Sequence, residues 1–382
     1  MFELSFQKEQ NEFDSTPHFK FLEEVLKEKT PTVLPEKGSP YPWMGKLEDE
    51  RLAIQNERTG ANCWTEMHSS FLRKINQAGF NPESIAMIGT GKDAILIPDA
   101  FIFPKVKKAT VIELMPDKIA GAKETLKNDN FNLDSVDFIS GNAAEELPKL
   151  GKFDVIDTQL FEQHLFKKPP FLTPEDKKEN FPTFEKLLKA RVDALKPGGL
   201  LTTSDLIINE WRTVPTEGFE DDPEVQELIK KGELFIHGDE EKKVPGFIKL
   251  GWDARGASAW KSGDEIVEAI TNASQGKLKF LPELSMVCDR DYKEPSNRAR
   301  INTETAYIVA MIAFAVQTAL MTHKKALESQ PDNLPLKGIV ENLSRGAEFL
   351  HDKGSEYIEM LKDERISVII PPMHYLAFQK NN

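Results

Sequence analysis

The sequence predicts an α/β fold with a doubly wound, mainly parallel sheet, a helical segment before it, a large helical region after it and a C-terminal β-hairpin. Three observations carry this. Short apolar runs recur at 85–88, 109–114, 136–140, 153–158 and 199–205 with helical patterns between them, the alternation that βαβ units produce. The first run ends in a glycine turn, Gly89-Thr90-Gly91. After Asn209 the alternation stops, which confines the sheet body to the middle of the chain.

Taken in order, the elements divide the chain into 1–80, a helical segment; 81–210, the sheet core; 211–365, a mostly helical insertion; and 366–382, the hairpin that rejoins the core sheet. In the first segment Pro31, Pro35, Gly38, Pro40 and Pro42 separate a leading helix from a second at 65–78, where Met67, Phe71, Leu72 and Ile75 recur at helical spacing and Gly79 ends it. Within the core, Phe184, Leu187, Leu188, Val192 and Leu195 form one helical stripe before Lys196-Pro197-Gly198-Gly199. Residues 211–300 suggest a short hairpin within 234–252, and Trp211, Trp252 and Trp260 read as aromatic core. Two long helices follow at 303–328 and 334–364. In the second, Leu336, Val340, Leu343, Ala347, Leu350, Gly354, Tyr357 and Leu361 alternate in steps of four and three, so one narrow stripe faces a partner helix. Residues 366–370 and 374–379 flank two prolines as the arms of the hairpin.

At 382 residues with 40% apolar and 29% charged side chains, the chain can bury a sizeable core and has a globular composition. Its net charge of −13 opposes attraction to phosphate backbones, so a nucleic-acid partner is disfavoured. Only two cysteines, Cys63 and Cys288, are present; neither a disulfide framework nor a Cys-rich zinc site follows, and a cytoplasmic, reducing setting is expected. No secretory signal is read at the start of the sequence. The apolar stretch 305–322 is rich in alanine and contains Gln317, which favours a buried helix over a membrane span.

The chemistry-bearing residues begin at the glycine turn. Gly89 and Gly91 permit torsions and close approaches that a side chain blocks, and a helix expected after them would offer free N–H groups to an anion. Glu113 ends the second run, 22 residues after Gly91, where an acid accepts hydrogen bonds from both hydroxyls of a ribose. Together these residues point to a cofactor containing adenosine.

Three further segments continue the series: 138–148, with Asn142 and Ala143; 153–159, ending in Asp157-Thr158-Gln159; and 195–201, Leu-Lys-Pro-Gly-Gly-Leu-Leu. In this order, residues 85–209 resemble the class I S-adenosylmethionine-dependent methyltransferases, a Rossmann-like superfamily, over about a third of the chain. The resemblance implies S-adenosyl-L-methionine as cofactor. It places Gly89, Thr90 and Gly91 under the methionine portion, Glu113 with Leu114 at the ribose, Asn142 and Ala143 beside the adenine, and Asp157 and Thr158 near the transferred methyl. The pattern departs in three places: Met87 stands where the family usually has an acid, Asp93 where it has a third glycine, and Asn142 where Asp is common. Asn142 can still accept from the adenine amino group. An acid for the cofactor's ammonium must come from elsewhere, with Asp93 and Glu66 as candidates.

The implied reaction is methyl transfer by in-line displacement. Alignment can supply about 7–11 kcal/mol of such a barrier, so catalytic side chains can be few. Asp157, Gln159, His164 and Asp205 are the candidates for positioning or deprotonating the acceptor. Asp157 and Asp205 also invite comparison with metal-dependent catechol-type enzymes, but Leu206 occupies the position of a third ligand, and no metal is expected. A small-molecule acceptor comes first and a protein second, and the helical insertion would serve as a lid or as the contact of a homodimer. The alternatives are a catalytically degenerate binding scaffold, an aminopropyl- or nicotianamine-type transferase, and a nicotinamide-dependent oxidoreductase, for which Gly89, Gly91 and Ala94 satisfy G-x-G-x-x-A.

Overall fold

The computed structural model describes residues 14–27, 47, 50, 64–90, 96–159, 183–207, 211–239, 241, 244–255, 260, 262–288 and 295–381. In chain order the elements are α1 Thr16–Lys27, α2 Trp64–Gln77, β1 Ile85–Ile88, a 3-10 helix Ile97–Ile102, β2 Ala109–Glu113, α3 Pro116–Asn128, β3 Val136–Ser140, α4 Ala143–Leu150, β4 Phe153–Gln159, α5 Phe184–Ala194 and β5 Leu195–Leu206. Then come β6 Arg212–Pro215, α6 Pro223–His237, β7 Gly238–Asp239, β8 Val244–Pro245, α7 Phe247–Arg255, α8 Gly263–Ala273, β9 Leu278–Phe280, β10 Met286–Cys288, α9 Pro295–Ser329, α10 Leu334–Lys362, β11 Ile366–Ile369 and β12 Met373–Lys380. They form two compact units, one of 64–211, 248–290 and 370–382, the other of 1–63, 212–247 and 291–369.

The first unit is the expected doubly wound α/β body. Its sheet runs β3-β2-β1-β4-β5-β12-β10, with β9 pairing β12. Strands β1 to β5 are mutually parallel, and β12 enters antiparallel between β5 and β10. Both faces are covered. On one, Met87, Val111, Val155 and Leu200 pack with Phe71, Leu72 and Ile75 of α2, with Ile97 and Ala100 of the 3-10 helix and with Leu126 of α3. On the other, Ala86, Ile88, Ile156 and Leu201 pack with Leu147 of α4, Leu187 and Leu188 of α5, and Ile266 and Ile270 of α8. Such two-sided burial explains why these strands read as continuous apolar runs rather than alternating ones.

The helix expected directly after the glycine turn falls on residues 91–95, outside the described ones; the first described helix beyond them is the 3-10 helix from Ile97, with Pro98 in its first turn. One expectation is corrected here. The C-terminal hairpin does not form, because β11 pairs with β6 whereas β12 pairs with β5, β9 and β10. Pro371 and Pro372 fix φ and lack N–H donors, so the link between the two strands cannot close as a tight hairpin turn. The hairpin expected within 234–252 is short, two residues per strand in β7 and β8, and is flanked by helices.

In the second unit, α9 and α10 pair along the predicted stripe; a Cβ added at Gly354 would sit 3.6 Å from Val309. Phe21 of α1 stacks on Tyr307 of α9 with ring centroids 6.1 Å apart. The segment Arg298–Ser329 is long and apolar enough to cross a membrane by length and composition, and 61% of its most apolar window is buried within the protein. Asn302 fixes the end of α10, donating to Leu361 O at 3.1 Å and Ile366 O at 2.9 Å and accepting from Ser367 Oγ at 3.2 Å.

Candidate functional site

The carboxyl ends of β1 to β5 lie along one edge of the sheet. The chain runs from β1 outward through β2 to β3, then returns to β4 on the other side of β1, so the strand order reverses between β1 and β4. Open parallel sheets take their ligands at that reversal.

Gly89, just past β1, has φ of +70°, a left-handed conformation that favours glycine, and its N–H donates to Ile112 O at 3.0 Å. Thr90 follows with its hydroxyl buried and without a partner among the described residues. Glu113 ends β2 with only 7% of its surface exposed, and its Oε1 accepts from the Met115 N–H at 3.2 Å. Leu114 is half-buried beside it. Glu113 O also accepts from the Gly141 N–H at 3.0 Å, which ties the ends of β2 and β3 together. Gly141 packs so closely that a Cβ would stand 2.9 Å from Glu146 Cγ. Asn142 caps α4, its Oδ1 accepting from the Ala144 N–H at 3.0 Å, and Ala143 opens that helix. Gly89, Glu113, Asn142 and Ala143 are thus brought to one edge, as expected. Gly91, Asp93 and His164 lie outside the described residues.

The residues expected to act on the acceptor are placed differently. Strand β4 continues to Gln159, so Asp157 sits two residues inside its end and is 2% exposed. Its Oδ1 accepts from Thr202 Oγ1 at 2.6 Å, and its Oδ2 lies 3.2 Å from His68 Nε2. Thr158, one residue on, points to the opposite face and accepts from Arg191 Nη1 of α5 at 3.2 Å. Asp205 is fully buried and takes Trp260 Nε1 at 2.8 Å on its Oδ2. Asp157 is in register with Thr202, and Asp205 lies three residues farther along β5, so the two carboxylates face opposite sides of the sheet. They cannot meet at one metal ion or one substrate atom, because side chains alternate along a strand. Of Gln159, the backbone is described as the last residue of β4. Glu66 is an exposed residue of α2.

Sequence reasoning missed a buried polar cluster in the core of the sheet unit. His68 of α2 is completely buried; its Nδ1 lies 2.7 Å from Asp99 Oδ2, opposite the Asp157 contact. Ser69 donates to Asp99 Oδ1 at 2.6 Å. Burial by itself would lower the His68 pKa, but Asp157 and Asp99 outweigh it and push it up to about 9. The signal was present: His68 stands on the same helical stripe as Phe71, Leu72 and Ile75. Trp211 and Trp260 are buried, as expected of aromatic core; the Trp252 side chain lies outside the description.

No protein-family model matches the sequence, and no curated protein is similar to it. Among solved structures the chain is similar to an S-adenosylmethionine-dependent methyltransferase from Geobacter sulfurreducens in complex with S-adenosyl-L-homocysteine, at 13% identity over 87% of this chain and 98% of that one, with a TM-score of 0.35. It is similar to the N-methyltransferase NodS from Bradyrhizobium japonicum, also in complex with S-adenosyl-L-homocysteine, at 15% identity over 71% and 90%, with a TM-score of 0.31. It is also similar to the [4+2]-cyclase SpnF at 12% identity over 89% and 94%, with a TM-score of 0.40. The Rossmann-like fold itself rests on the strand order and register described above.

Proposed function

We propose that this chain binds S-adenosylmethionine across the carboxyl edge of β1, β2 and β3 and transfers its methyl group to a small-molecule acceptor. The observation that carries the reading is the convergence of Gly89, Glu113 and Asn142 on three neighbouring strand ends beside the reversal of strand order. The cofactor fits the residues present. Glu113 offers a nearly buried carboxylate to two ribose hydroxyls, Gly89 leaves its backbone open to close approach, and the Thr90 hydroxyl at the turn has no partner among the described residues. The start of α4 at Asn142 and Ala143 supplies polar main chain for the adenine edge.

Bound there, the cofactor supplies an electrophilic methyl on a sulfonium. The protein's part is then alignment and exclusion of water, the larger share of such catalysis. Asp157 and Asp205 are withdrawn as acceptor bases, since each is buried and held by another side chain on its own face of the sheet. Gln159, at the end of β4, and His164 in the following segment stand as the acceptor-side candidates. The net charge of −13 supports a small acceptor over a nucleic acid.

Isothermal titration of S-adenosylmethionine and S-adenosylhomocysteine into the protein, with Glu113→Ala beside it and NAD as a comparison, tests the reading. Binding of the first two that weakens on Glu113→Ala supports it. Heat with NAD alone would favour the oxidoreductase, and no heat with any ligand would reject an adenosine-cofactor site.

A further inference from the structure

Both ring nitrogens of His68 face carboxylate oxygens, Asp99 Oδ2 at 2.7 Å and Asp157 Oδ2 at 3.2 Å. Nδ1 donates to Asp99, whereas Nε2 approaches Asp157 as an ion pair without hydrogen-bond geometry; a ring held between two carboxylates is favoured as the imidazolium. The other two carboxylate oxygens take hydroxyl donors, Ser69 and Thr202. One imidazolium against two carboxylates leaves one net negative charge. Among the described residues no lysine or arginine pairs with Asp99 or Asp157.

That charge is deep: His68, Asp157 and Asp99 are 0%, 2% and 9% exposed. A buried, unbalanced charge is costly to keep. Its position is informative. Asp157 is in register with Met87 on β1, the position where the resemblance places an acid, and it stands at the β1–β4 reversal. The cluster's charge therefore lies one strand over from Met87, on the same face of the sheet. Beside it, two residues along β5 from Thr202 toward the carboxyl edge, the Ser204 hydroxyl is 1% exposed and has no partner among the described residues. A polar group left open there is what an arriving ligand would use.

We propose that the Asp99–His68–Asp157 cluster is the buried counter-charge that selects the cationic, sulfonium form of the cofactor over its neutral demethylated product. The inference rests on the proposed cofactor reading and deepens it. The two ligands carry the same amino-acid charges and S-adenosylmethionine adds one positive charge at its sulfonium, so a fixed negative charge near the sulfonium separates the two by that charge. The cluster positions and balances the cofactor without reacting, and it would favour release of product once the methyl and its charge have left.

The test is the ratio of the two affinities, measured by calorimetry on the full chain. Asp99→Asn removes the net charge while keeping the shape. It is expected to weaken S-adenosylmethionine on the order of tenfold, the scale of one charge pair roughly 10 Å apart in a protein interior, with S-adenosylhomocysteine changed less than about twofold. Asp157→Asn neutralises the same cluster from the other side of the ring and should repeat the effect, Asp99→Glu should restore the ratio, and Ser69→Ala should leave it unchanged. Equal loss of both ligands, or an unchanged ratio in both Asn variants, overturns the counter-charge while leaving the cofactor site standing. Wild-type protein that binds neither ligand overturns both readings.

Discussion

Asp157 and Asp205 occupy adjacent parallel strands, yet one carboxylate meets His68 beneath α2 and the other meets Trp260 on the opposite face of the sheet. Their separation follows from the odd offset, three positions along β5, between Thr202, the partner of Asp157, and Asp205. It assigns the two acids to different layers of the core and predicts that they respond to mutation independently.

Trp260→Phe removes the indole donor from the Asp205 carboxylate while preserving most of the ring volume. A hydrogen bond to a charged acceptor contributes about 1.5–3 kcal/mol. Chemical denaturation should register a loss of that order, with S-adenosylmethionine affinity unaltered. A large loss of affinity at normal stability would place Asp205 in the binding site after all.

The His68 imidazolium ties stability to pH. Its folded pKa of about 9 lies above the ordinary value of 6.5, so the folded state holds this proton more tightly. The stabilisation is complete below about pH 6.5 and is lost as pH rises through 9. A shift of that size corresponds to roughly 3 kcal/mol. Urea denaturation at pH 6 and pH 9.5 should therefore find wild type markedly weaker at the higher pH, and His68→Gln should lack most of that difference. Parallel pH profiles for the two proteins would mean that the ring does not carry the proton.

Asn302 governs the helical unit in a different way. Its amide satisfies the carbonyls of Leu361 and Ile366 at the end of α10 and the start of β11. Asn302→Ala orphans both, at about 1–3 kcal/mol for each group. The loss should be visible in denaturation monitored by far-ultraviolet circular dichroism, since α9 and α10 hold much of the helix. Unchanged stability would mean that water reaches these carbonyls.

The sheet was legible because parallel strands covered on both faces are rich in apolar residues, as 85–88 is throughout, and because the shorter apolar stretches within 136–140 and 153–158 follow it at βαβ spacing. The α10 stripe was legible from its spacing alone, and the buried residues Leu343, Leu350, Gly354, Tyr357 and Leu361 follow it. Strand partnership was not, because pairing is decided between segments far apart in sequence. Residues 366–370 and 374–379 look like hairpin arms until Pro371 and Pro372 send them to separate sheets. The geometry of the candidate site was legible at a turn and a strand end, where Gly89 takes a left-handed φ and Glu113 closes β2 nearly buried. It was illegible where it depends on which face a side chain takes, as with Asp157 and Asp205. His68 was hidden for a similar reason, since a polar residue on an apolar stripe declares itself only when its partners, contributed by other elements, are known.

The central claim, that an S-adenosyl ligand lies along the carboxyl ends of β1, β2 and β3, is tested most directly by hydrogen–deuterium exchange with and without S-adenosylhomocysteine. The account predicts slowed exchange confined to residues 89–90, 113–115 and 141–144, three segments distant in sequence and adjacent on one edge of the sheet. Protection that spares all three, or that falls on the opposite edge at the starts of these strands, would contradict it.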